Sequence, residues 1–208
     1  MLFGSMPFGM RRAARLALTA AALASAPASA QPPEAISDGL RCVYEKLTAN
    51  RGYEVVAEVF LYDTVPENQV GQAASILDLA TQSCAKQYKW SVSRVFSAAD
   101  VGLYGATIDY LIQKIAAAGV ASTAVEAFDT VVSSMSHADY ESFGEQDWRS
   151  DLAFTRRLRA LARDAGLPDE EAVMDMALDA LELGARIDYS VALFVLDLAE
   201  GSPIPETV

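Results

Sequence analysis

Residues 90–118 read WSVSRVFSAADVGLYGATIDYLIQKIAAA. Two readings compete at the start of this stretch. Trp90, Val92 and Phe96 hint at alternation, the mark of a strand. Against that, Val92, Phe96, Ala99, Leu103, Ala106 and Tyr110 step by 4, 3, 4, 3 and 4 residues, the spacing of one helix face. The helical pattern holds to Tyr110 where the alternation does not, so the segment predicts a long helix closed by Gly119. A break at Ser97 stays open, because Ser97-Ala98-Ala99-Asp100 resembles a capping box.

The same stretch holds one copy of an internal match. Gly105-Ala106-Thr107-Ile108-Asp109-Tyr110 agrees at five of six positions with Gly184-Ala185-Arg186-Ile187-Asp188-Tyr189, and Asp100 and Asp179 share the same offset of 79 residues. Periods of this length can mark duplicated helical units; the other reading is coincidence in a chain rich in Ala, Asp and Leu, and both stay open. Glycine at such a position lets another backbone come close. Asp109 and Asp188 are therefore the candidate polar pair. If buried together, one would hold its proton or the two would bind a cation. The favoured reading places each on a solvated face, because charged side chains are rarely buried unpaired.

Outward from this core, the rest of the chain also reads as helix. Prolines followed by acids mark starts at Pro33-Glu34, Pro66-Glu67 and Pro168-Asp169-Glu170-Glu171, since proline costs nothing in a first turn and acids meet the positive end of the helix dipole. The expected helices are 34–50, with the stripe Ile36, Leu40, Val43 and Leu47; 53–62, apolar at Val55, Val56, Val59 and Phe60; and 66–88, with Val70, Ala74, Leu77, Thr81 and Cys84. Further helices are expected at 123–135, opened by Thr123-Ala124-Val125-Glu126, at 148–165 with Leu152, Leu158 and Leu161 apolar, and at 168–198 with a break near Gly184 left open. Residues 136–147 read as a loop. The fold class is thus all-α, with six to eight helices in one domain over 31–200 and a tail at 201–208.

The first thirty residues have another logic. Arg11, Arg12 and Arg15 precede an uncharged run from Leu16 to Ala26, and Ala28-Ser29-Ala30 supplies small residues for a peptidase. That order is a secretory signal peptide, with Met1 or Met10 as its start. The apolar run falls short of the ~20 residues a bilayer requires, and Tyr189–Leu196, apolar but bracketed by Asp188 and Asp197, is no span either. Export implies a periplasmic or secreted protein. Removing residues 1–30 takes away three arginines and no acid, so the net charge falls from −12 to −15. Such a chain has no footprint for nucleic acid or an anionic membrane.

Catalytic and cofactor signatures are scarce. The single histidine, His137, lies among Asp139, Glu141, Glu145 and Asp147, whose spacing is not that of an EF-hand, so a solvated loop is expected rather than a metal site. Ser83-Cys84-Ala85-Lys86 matches S-x-x-K without the companion motifs that give it meaning. No zinc, redox, nucleophile-elbow or phosphate-loop motif is present, and no cofactor is implied. Two cysteines in an exported chain allow one intramolecular pairing, Cys42 with Cys84, one beside a stripe residue and the other on an apolar face.

By elimination, the expected function is non-catalytic: a soluble exported protein binding a protein partner or an apolar ligand in a helical groove, with Trp90, Tyr104, Tyr110, Trp148 and Phe154 as candidate lining. The alternative is a cell-envelope hydrolase using paired carboxylates. Mass spectrometry of the protein from an exporting cell should find Gln31 at the N-terminus; retention of Arg11 and Arg12 would refute the signal peptide.

Overall fold

In a computed structural model that describes residues 33–50, 52–62, 64–144 and 148–200, eight α-helices and one short 3₁₀ turn occur among the described residues. The helices are α1 (Pro33–Thr48), α2 (Tyr53–Leu61), α3 (Glu67–Tyr88), α4 (Val92–Ala117), α5 (Ser122–Val132), α6 (His137–Phe143), α7 (Leu152–Asp164) and α8 (Glu171–Glu200), with the 3₁₀ turn at Trp148–Ser150. Among the described residues there is no strand. The expected signal peptide, the expected tail and the loop residues Glu145 and Asp147 lie outside them.

The helix starts show where local chemistry overrides the pattern. Ser91 caps α4 by accepting from the Arg94 amide, so the helix runs unbroken through Ser97. Ala121 rather than Thr123 stands at the N-cap of α5, leaving Thr123 inside the helix. The loop expected at 136–147 is corrected: its first part is α6. There the Ser136 amide and hydroxyl both donate to Asp139 Oδ2, at 3.0 and 2.8 Å, forming a capping box with aspartate in place of glutamate. Asp151 accepts from the amides of Ala153 and Phe154, which moves the start of α7 from Trp148 to Leu152. Helix α8 starts at Glu171 and passes through Gly184 without a break.

Burial follows the expected stripe on α1, where Leu40, Val43 and Leu47 are buried. On α3 the buried face is Ala73, Ala80, Thr81 and Cys84, while Val70 and Ala74 are exposed. The largest correction is on α4. Val92 and Phe96, the first stripe residues, are 63% and 67% exposed. Farther along, every residue from Gly105 to Ile112 is buried, because helices pack around all sides of that part. A helix enclosed in this way has no single apolar stripe for a periodicity to find.

Helices α4 and α8 form the central pair and share the broadest contact in the molecule. They run antiparallel. Asp197, near the end of α8, accepts hydrogen bonds from the Ser91 and Ser93 hydroxyls at 2.5 and 2.6 Å, and lies 2.9 Å from Arg94 Nε, all at the start of α4.

Around this pair each long helix gathers other helices. Helix α4 packs on α1, α2 and α3; α8 packs on α5, α6 and α7. The glycines of the two hexapeptides both lie at close helix contacts. A Cβ on Gly105 would meet the Tyr44 ring of α1 at 2.9 Å, and one on Gly184 would meet the Val132 carbonyl oxygen of α5 at 2.5 Å. In each half, then, the repeat glycine admits that half's first helix. The repeat tyrosine reaches the second helix in each: the Tyr110 hydroxyl donates to Glu58 of α2 at 2.8 Å, and Tyr189 stacks on Tyr140 of α6 with centroids 4.2 Å apart. The second unit is built from shorter helices before its long one.

The Cys42 and Cys84 sulfurs lie at bonding distance with Cα atoms 5.9 Å apart, joining α1 to α3. A closed loop of 42 residues stabilises the fold by about 4 kcal/mol on the loop-entropy estimate. Reduction, or the double change Cys42→Ala and Cys84→Ala, should therefore lower the melting temperature by several degrees. Two titratable thiols in the native oxidised protein would show the link is not made.

Candidate functional site

The two candidate acids of the repeat part company. The solvated reading of Asp109 is overturned: it is buried and accepts a 2.5 Å hydrogen bond from the Tyr44 hydroxyl across the α1–α4 contact. Burial of a carboxylate is tolerable when a donor reaches it, and nothing near Asp109 in the sequence announces a donor 65 positions earlier. Asp188 is half-buried on α8. Nearby, Tyr110 is raised well above the ordinary tyrosine range by burial and by Glu58, and Tyr53 is raised by burial while taking a hydrogen bond from Gln113. These groups tie α1 and α2 to α4, and their role is internal.

The five aromatics expected to line a groove are mostly committed elsewhere. Trp148, Phe154 and Phe143 pack edge-to-face in a cluster of their own. Trp90 stacks on Tyr88 and meets the edge of Phe194. Tyr110 is buried. Of the five, Tyr104 faces a different setting, on the outer side of the α4–α8 pair.

That side is the candidate site. Val92, Phe96, Asp100 and Tyr104 follow one another at four-residue steps and share a face of α4. Glu182, Arg186, Tyr189, Leu193 and Leu196 share a face of α8 by the same geometry. Where the two helices run antiparallel, Asp100 and Tyr104 of α4 both lie near Arg186 of α8. One end is apolar and open: besides Val92 and Phe96, Leu193 is 40% and Leu196 59% exposed. The exposed Phe60 ring of α2 lies 5.7 Å from Tyr104.

The other end is polar. Arg186 donates from Nε and Nη2 to Glu182 Oε1, at 3.0 and 2.7 Å. Glu182 accepts in addition from Trp148 Nε1 at 3.1 Å. Tyr140 and Tyr189, stacked, close this end. Asp100 stands half-buried between the two ends. Burial raises its carboxyl above the ordinary range, opposed by Arg186. Asp179, its counterpart in the repeat, is likewise raised by burial, opposed by Arg149, with which it is ion-paired. The two acids thus sit beside different arginines on different helices.

No group of three or more metal-ligating residues occurs among the described residues, and no helix there is long and apolar enough to cross a membrane. No family model matches the chain, and neither a curated protein nor a solved structure is found to be similar to it.

A raised carboxyl has a definite sign in stability. Asp100 ionises less readily folded than unfolded, so it costs stability above its folded-state pKa, and the cost disappears as pH falls to the ordinary carboxylate range. Asp100→Asn should accordingly raise the melting temperature at pH 7, with the gain fading on acidification toward pH ~4. A loss of stability at pH 7 would show that the ionised carboxylate is held by bonds within the fold.

Proposed function

We propose that the protein is an exported, non-catalytic binding protein that takes a protein partner on the face shared by α4 and α8. The observation that carries this reading is the line of exposed apolar side chains, Val92, Phe96, Leu193 and Leu196, beside the polar group of Arg186 and Tyr104. Exposed apolar side chains gathered on one face, rimmed by polar groups, mark interaction sites. From Val92 to Tyr104 the face runs about 18 Å at the rise of an α-helix. An open strip of that length suits a partner's helix or loop. A small apolar ligand needs a concavity that buries most of its surface. Export is supported by the arginine cluster and small-residue cleavage site of residues 1–30, together with the cysteine pair. A hydrolase would call for two facing acids of divergent pKa, whereas Asp100 and Asp179 are raised at separate places.

The test compares what immobilised proteins retain from the exported fraction of the source cell. Wild type should hold a discrete partner, and the double variant Phe96→Glu with Leu193→Glu should lose it by at least about tenfold, since a charge in the core of an interface is poorly tolerated. Leu79→Glu, on the exposed side of α3, should retain it. Equal retention by all three would overturn the assignment of the face.

A further inference from the structure

Within that face, charge and hydrogen bonding single out one group. Arg186 and Glu182 are joined by two hydrogen bonds and neutralise each other. Arg94 and Asp197 do the same at the end of the strip. Asp100 is left: it has a through-space attraction to Arg186 but no hydrogen bond or ion pair among the described residues. Its setting is aromatic. Phe96 lies one turn before it and Tyr104 one turn after it on the same helix face, and the partly exposed Phe60 ring packs on Tyr104. A carboxylate set among aromatic rings is the combination that receives a cation, by charge and by the negative faces of the rings.

We infer that Asp100, with Phe96, Tyr104 and Phe60, receives an ammonium or guanidinium group carried by a basic amphipathic segment of the protein partner. The inference rests on the reading of the α4–α8 face as a docking surface, and adds to it the chemistry of the partner. The apolar strip takes the segment's apolar side while Asp100 takes a lysine or arginine from its edge. The formal net charge, −12 for the full sequence and −15 without residues 1–30, draws a basic partner toward the protein. Long-range attraction does not choose a site; the partly desolvated acid beside the strip does. The same carboxylate explains why an apolar face keeps a charge that costs stability in the free protein: the charge gains its counter-ion on binding.

The test uses two synthetic helical peptides with the same leucine face, one with lysine and one with glutamate at every polar position. Binding is measured by titration calorimetry at ~0.15 M salt, where distant charges are largely screened. The lysine peptide should bind wild type, and Asp100→Asn should weaken it by about tenfold, the effect of one charged hydrogen bond. Asp164→Asn removes one charge from the exposed end of α7 and should leave the affinity unchanged. If Asp100→Asn and Asp164→Asn weaken binding alike, only net charge is being read and the inference falls. If both peptides bind equally and Phe96→Glu abolishes both, the docking face stands but Asp100 recognises no cation. If neither peptide binds, face and cation site fall together. Thermal melting of each variant shows that it is folded.

Discussion

The antiparallel contact of α4 with α8 is the constraint from which the rest follows. Small residues let the surrounding helices come close to it: Gly105 admits Tyr44 and Gly184 admits the backbone at Val132. Asp197 fixes the pair lengthwise by gathering Ser91, Ser93 and Arg94. Its carboxyl is pushed up by burial, yet the two serine hydroxyls and Arg94 outweigh that and hold it below the ordinary range. The contribution is therefore present above the ordinary carboxylate pKa and lost as pH falls through the folded-state value. With the pair fixed, each long helix collects three shorter ones, and the outer faces of the pair stay uncovered.

This arrangement explains how a face can be both apolar and exposed. The buried sides of α4 and α8 are spent on each other and on the shorter helices. What remains outside is the run from Val92 to Tyr104 and the run from Glu182 to Leu196, brought into register by the clasp at Asp197. The polar end is positioned by Glu182, which accepts from Arg186 and from Trp148 Nε1. Side chains positioned this way lose little freedom when a partner arrives.

The all-α class was legible because proline–acid starts and stripes such as Leu40, Val43 and Leu47 are local signals that tertiary packing reinforced. The five shared residues of the internal match were legible too; their glycines both lie at close helix contacts, while their tyrosines make different ones, a hydrogen bond at Tyr110 and ring stacking at Tyr189. The phase of α4 was not legible. From Gly105 to Ile112 any phase is buried, and at Val92 and Phe96 apolar character reflects an open face rather than the core. Helix α6 was missed because aspartate stands where the capping-box rule expects glutamate or glutamine. Asp109 was misjudged because its donor, Tyr44, belongs to another helix. Asp100 and Arg186 belong to one site only because α8 folds back along α4, which neither segment declares alone.

Amide hydrogen exchange under native conditions tests the central pairing most directly. The amides of Gly105–Ile112 of α4 and of Ala177 to Phe194 of α8 should be the slowest in the protein and should open together, in the cooperative unit that sets global stability. Fast, independent exchange over 186–194 while 105–112 stays protected would contradict it, since the two sides of the binding face would then not be held by one contact.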